Sequence, residues 1–132
     1  MRVFFNGNPK SPECLLIGSS SDLRKLGQSL RTLNTEFFYR SKNLEPNKHY
    51  NSVLSGIHFA IEDENSDKLS MNLRGSVFVL SGNMIAMSNF GQGLINVFDE
   101  TAISGAHLHY DYLDGHGLTR ETNISFVVSC EN

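Results

Sequence analysis

His107, His109 and Asp111 recur at every second position, and His116 follows in the turn Asp114-Gly115-His116-Gly117. In a strand, side chains two apart share a face. A His-x-His pair joined by a third His or a carboxylate would therefore supply a zinc ligand set, with neutral imidazoles binding at about 2.0–2.1 Å. The competing reading makes these polar residues on the less buried face of a sheet. An internal alignment favours it: GIHFAIE at 56–62 matches GAHLHYD at 105–111, pairing His58 with His107 but Ala60 with His109. A repeat that accepts alanine there is not built around a metal, so no metal or other cofactor is expected. His58 and His107, which recur, are expected to share a hydrogen-bonding or packing role.

A second group is acidic. Glu62, Asp63, Glu64 and Asp67 cluster in one turn, and Asp111 and Asp114 occupy the corresponding region later in the chain. General acid/base work would need a reacting partner and a perturbed carboxyl, and the sequence points to neither. There is no Gly-x-Ser-x-Gly elbow, and Cys14 and Cys130 fall in strand-like runs rather than at a helix start where a thiolate would be stabilised. Leu16-Ile17-Gly18-Ser19-Ser20-Ser21 runs from strand to helix but lacks the lysine and glycine spacing of a phosphate loop. The expectation is a protein that is not an enzyme. The acidic turns are either solvated or a surface that captures Lys and Arg of a partner, with Tyr110 and Tyr112 beside them.

The elements that would position these groups follow from periodicity. Capping oxygens at Ser19, Ser20, Ser21 and Asp22 precede Leu23, Leu26, Leu30 and Leu33 at helical spacing. Gly82 and Asn83 open a second helix with Met87, Phe90, Leu94 and Val97 on one face. The two sets are offset by 64 positions, and the same offset carries Gly18 onto Gly82 and Gly27-Gln28 onto Gly91-Gln92. Strands are predicted at 2–5 and 14–17, joined through Asn6-Gly7-Asn8-Pro9, and at 57–61, 69–73, 77–80 and 124–130. Residues 35–55 read as mixed, with Phe37, Phe38 and Tyr39 forming a short extension. The expected fold is α+β: a two-layer sandwich of about seven mostly antiparallel strands with two helices on one face. It would be a single domain over 1–132, duplicated from a strand-strand-helix-strand unit with copies near 1–66 and 67–132.

Composition sets the outer bounds. With 132 residues, 39% hydrophobic, 19% charged and three prolines, the chain is ordinary for one globular domain and wrong for a disordered one. No run approaches the roughly 18 apolar residues of a membrane span, and the apolar stretch near the start is too short for a signal peptide, so a cytoplasmic protein is expected. Cys14 and Cys130 then read as core fillers, with a disulfide left open. The net charge of −3 divides unevenly: eight Lys/Arg against four Asp/Glu up to Ile61, then three against ten. An acidic second half repels nucleic acid and suits a basic protein partner.

Leu80-Ser81-Gly82, Met87 with Phe90-Gly91-Gln92-Gly93-Leu94, His107-Leu108-His109-Tyr110-Asp111 and the closing Ile124-Ser125-Phe126-Val127-Val128 form a pattern that resembles immunity-protein families of bacterial polymorphic-toxin and contact-dependent inhibition systems. The resemblance implies a cytoplasmic, non-catalytic protein that blocks a cognate toxin domain, often a nuclease, whose cationic surface the acidic half would complement. The expected contact region is Glu62, Asp63, Glu64, Asp67, Tyr110, Asp111, Tyr112 and Asp114. Two alternatives stay open: a metal-dependent enzyme or small-ligand binder using His107, His109, Asp111 and His116, and an interaction module for another partner, including itself through an exposed strand edge. The sequence does not fix the oligomeric state.

Overall fold

The apolar runs from the two ends of the chain meet in the middle of one sheet. In the computed structural model, which describes residues 1–42, 45, 49–112 and 117–132, β1 (Arg2–Asn6) and β2 (Glu13–Gly18) form the first hairpin. Helix α1 (Ser20–Arg31) follows, then β3 (Glu36–Arg40), the two-residue β4 (Ser52–Val53) and β5 (Gly56–Ile61). The second half supplies β6 (Ser70–Arg74), β7 (Val77–Gly82), α2 (Met84–Val97), β8 (His107–Tyr110) and β9 (Ser125–Cys130). These strands make two sheets, ordered β4-β1-β2-β9-β8 and β3-β5-β7-β6.

Each sheet is mixed, because strands from opposite halves meet in parallel: β2 runs beside β9 with Leu15 opposite Val127, and β5 beside β7 with Phe59 opposite Leu80. The remaining pairs are antiparallel. The α+β class therefore holds, but the expectation of about seven strands in one layer is corrected to nine, among the described residues, in two sheets. The additional strands are β3 and β4, both within the stretch that read as mixed. Each is short and draws its order from a neighbour rather than from its own alternation. The alignment of 56–62 with 105–111 is corrected as well. It matches β5, an interior strand, to β8, an edge strand of the other sheet, so His58 and His107 do not occupy equivalent places in the fold.

Both helices begin within the segments expected of them, at Ser19 out of the run Ser19 to Asp22 and at Asn83 after Gly82. Ser19 accepts from the Asp22 amide at 3.1 Å and Asn83 from the Ala86 amide at 2.8 Å. Leu23, Leu26 and Leu30 of one helix and Met87, Phe90 and Leu94 of the other are buried in a single core with Ile57, Phe59, Phe78, Leu80, Phe126 and Val128 from the two sheets. The paired glycines have a mutual reason. A Cβ on Gly27 would lie 2.5 Å from the Gly91 carbonyl oxygen, and one on Gly91 would lie 2.5 Å from that of Gly27. The helices cross backbone to backbone, and only glycine permits that approach. Cys14 and Cys130 are unpaired and buried in this core, and burial pushes the Cys14 thiol well up from its ordinary range.

The outer faces of the sheets differ. Phe4, Leu15 and Val127 form a second apolar cluster closed over by Tyr50 and Val53, with the Tyr50 hydroxyl bonded to the Glu13 carboxylate. On the other sheet Phe38, His58, Val77 and Val79 line an open groove.

Candidate functional site

The loop after β5 is tied to the start of α2 by one side chain. Asn83 caps the helix through its oxygen while its Nδ2 donates to Asp67 Oδ1 at 2.6 Å and to the Glu64 carbonyl at 3.2 Å. Segment 118–120 is laced to the same loop, the Leu69 amide donating to the Leu118 carbonyl at 2.9 Å and the Arg120 amide to that of Leu69 at 2.8 Å. This contact lets Arg120 form an ion pair with Glu64. Glu64 and Asp67 are thus spent on holding the loop. Replacing Asn83 with Ala should cost about 1–2 kcal/mol, because it removes a cap and leaves two loop acceptors without their donor. Urea unfolding reads this directly, and a loss below about 0.5 kcal/mol would show that Asn83 is not the tie.

Glu62 and Asp63 behave differently. The Glu62 amide donates to the Gly82 carbonyl at 2.8 Å, which fixes its backbone, while both carboxylates are exposed and make no ion pair among the described residues. They share a concavity of about 490 Å³ with Asn34, Ile61, Asn83, Met84 and Ile85. Met84 and Ile85 are 56% and 55% exposed, ahead of the stripe that α2 buries. The result is an acidic lip beside an apolar ledge at a helix N-terminus, whose dipole favours the negative charge. Such a ledge desolvates aliphatic surface and presents carboxylates to a Lys or Arg arriving with it.

The other expected contact residues are distributed unevenly. Tyr110 is corrected to a core residue: it is 7% exposed, its ring centroid lies 5.0 Å from that of Phe90, and burial pushes its hydroxyl pKa up to about 12. Since β8 alternates, its apolar member turned inward and carried the tyrosine with it. Asp111 is exposed and Tyr112 half-buried just beyond β8, and Asp114 lies outside the described residues. Met84 and Ile85 were not picked out from the sequence; their only signal was two bulky apolar residues in a first helical turn, before the periodic stripe.

The histidines do not assemble a metal centre among the described residues. His107 and His109 share the outer face of β8 as their spacing requires, ring centroids 5.0 Å apart, opposite Ser129 and Val127. His107 Nδ1 lies 2.9 Å from the Gly105 carbonyl. His58 Nε2 lies 2.7 Å from Glu36 Oε2 on the other sheet. No group of three or more His, Cys, Asp or Glu able to hold a metal occurs among the described residues, and His116 lies outside them. Among the described residues, no helix is long and apolar enough to cross a membrane.

No family model, curated protein or solved structure matches this chain.

Proposed function

We propose that this chain is a cytoplasmic immunity protein that binds a cognate toxin domain, a basic nuclease, and blocks its active site. The observation that carries the reading is the ledge of Glu62, Asp63, Met84 and Ile85, where exposed aliphatic surface and carboxylates without an ion pair among the described residues occur together on an ordered framework. Carboxylates can stand in for the phosphates that a nuclease binds, and complementary charge speeds encounter.

We further read the chain as a duplicated unit, and this gives the ledge an internal control. Strands β2 and β7 and the first residues of the two helices keep the 64-residue offset, as do the caps Ser19 and Asn83 and the crossing glycines. Long-range bonds match too: Glu62 to Gly82 answers Glu131 to Gly18, and Ile61 to Thr35 answers Cys130 to Ala106. Carried by those pairings, the positions of Met84, Ile85, Glu62 and Asp63 correspond to Ser20, Ser21, Glu131 and Asn132. That corner is polar and internally bonded: Asn132 Oδ1 accepts from the Ser20 amide at 2.9 Å, and Glu131 meets Arg2 at 3.1 Å. The fold thus has no need of Met84, Ile85 or free carboxylates there, which favours a partner as their reason.

The test is capture of the tagged protein from its native host with neighbouring genes expressed, followed by mass spectrometry, metal analysis and a nuclease assay. A basic toxin domain should come down in stoichiometric amount, and adding the chain should suppress its cutting. Stoichiometric zinc with no protein partner would overturn the reading and favour the histidine cluster.

A further inference from the structure

Strand β3 stands at the edge of its sheet, in the order β3-β5-β7-β6, with Phe37 and Phe38 37% and 44% exposed. Folded proteins commonly blunt such an edge with a central charge, a proline or a bulge, because an open row of N–H and C=O groups templates pairing. The sequence Glu36-Phe37-Phe38-Tyr39-Arg40 has none of these at its centre; its charges lie at its two ends and are opposite in sign.

The direction of the free backbone groups follows from the pairing with β5. The Ile61 amide donates to the Thr35 carbonyl at 2.7 Å and the Ser41 amide to the Ser55 carbonyl at 2.8 Å, at the two ends of a regular register that sets Phe38 opposite His58. In an antiparallel ladder, bonded positions alternate, so 35, 37, 39 and 41 face β5. Glu36, Phe38 and Arg40 direct their N–H and C=O groups to the side on which no strand pairs with β3 among the described residues.

We propose that two copies of this chain join through β3, antiparallel, about a two-fold axis at Phe38. Groups pointing outward must oppose each other, and of the symmetric registers available within β3 only the one centred on Phe38 uses all three positions of both copies, making roughly six ladder bonds. A register centred on Glu36 or Arg40 uses one. The same register sets Glu36 opposite Arg40 of the second copy twice, Phe38 opposite its counterpart on the outer face, and Phe37 opposite Tyr39 on the inner face. Hydrogen bonding, charge and aromatic pairing thus select one alignment, and opposite-charge and aromatic cross-strand pairs are the stabilising ones. Glu36 already meets His58 Nε2 at 2.7 Å, but a carboxylate has further acceptor sites and the Glu36 side chain is 68% exposed, so it can serve both. The product is a continuous eight-stranded sheet with the Phe38 groove of each copy at its centre.

Sedimentation velocity across a dilution series tests it on the intact protein, with circular dichroism confirming that each variant is folded. The wild type should dissociate from dimer to monomer on dilution. Phe38→Lys places two like charges face to face at the axis and should leave a monomer. Glu36→Arg or Arg40→Glu alone converts two attractions into two repulsions and should weaken association by about tenfold or more, whereas the double exchange E36R/R40E restores both pairs and should return it to within about threefold of wild type. Both exchanged residues are exposed, so this arm remains readable if Phe38→Lys disturbs folding. A wild type that stays monomeric at the highest concentrations, or a dimer indifferent to these changes, would overturn the proposal, as would a double exchange no better than its singles.

Discussion

Phe126→Ala is expected to lower stability by about 4 kcal/mol, near the upper end of what loss of a buried ring costs. The position explains the size. Phe126 is fully buried on β9, its ring centroid lies 5.0 Å from Phe78 of the other sheet, 5.9 Å from Phe90 of α2 and 6.4 Å from Tyr110 of β8. One side chain thus links both sheets and a helix, and the atoms around it belong to different elements that cannot collapse together into the void. The cavity term then adds to the transfer term instead of being relaxed away. In urea this should appear as a large drop in midpoint with little change in slope. A loss under about 2 kcal/mol would mean that the sheets do not depend on this ring for their contact.

The second large effect concerns the ledge. In E62K/D63K, two carboxylates that would meet cations become cations themselves, and like-charge juxtaposition at an interface costs several kcal/mol. Affinity for the captured toxin domain, measured by calorimetry, should fall by roughly 100-fold or more, about 2.7 kcal/mol. Stability should change little, because both residues are exposed and neither holds an ion pair among the described residues. The comparison is E100K/E121K, which makes the same change in net charge at two other exposed acids and should change affinity far less. Equal losses in the two variants would show that bulk charge, and not the ledge, draws the partner.

Much of the local architecture was legible beforehand. The stripes Leu23, Leu26, Leu30, Leu33 and Met87, Phe90, Leu94, Val97 predicted two helices, and both formed, capped at Ser19 and Asn83; only Leu33 lies beyond its helix, which ends at Arg31. The hairpin turns and the apolar runs before each helix were equally plain. These signals are local: a helix buries a face that recurs every three to four residues, and a cap acts within one turn. In the candidate site, the sequence singled out the acidic turn but treated its members alike. Folding sorted them, sending Glu64 to Arg120 and Asp67 to Asn83 while leaving Glu62 and Asp63 in solvent.

What this sequence determined by itself is therefore the inventory: two capped amphipathic helices, the hairpins beside them, their 64-residue offset, an acidic second half and a His-x-His pair on one strand face. The tertiary structure decided which strand joins which sheet, why Gly27 and Gly91 must both lack a side chain, that Tyr110 is core, and that Met84 and Ile85 stand beside free carboxylates. Those outcomes depend on pairings between residues far apart in the chain. Periodicity reports which face of an element is buried, but not which distant element buries it, so the mixed sheets and the ledge appear only when the chain is closed on itself.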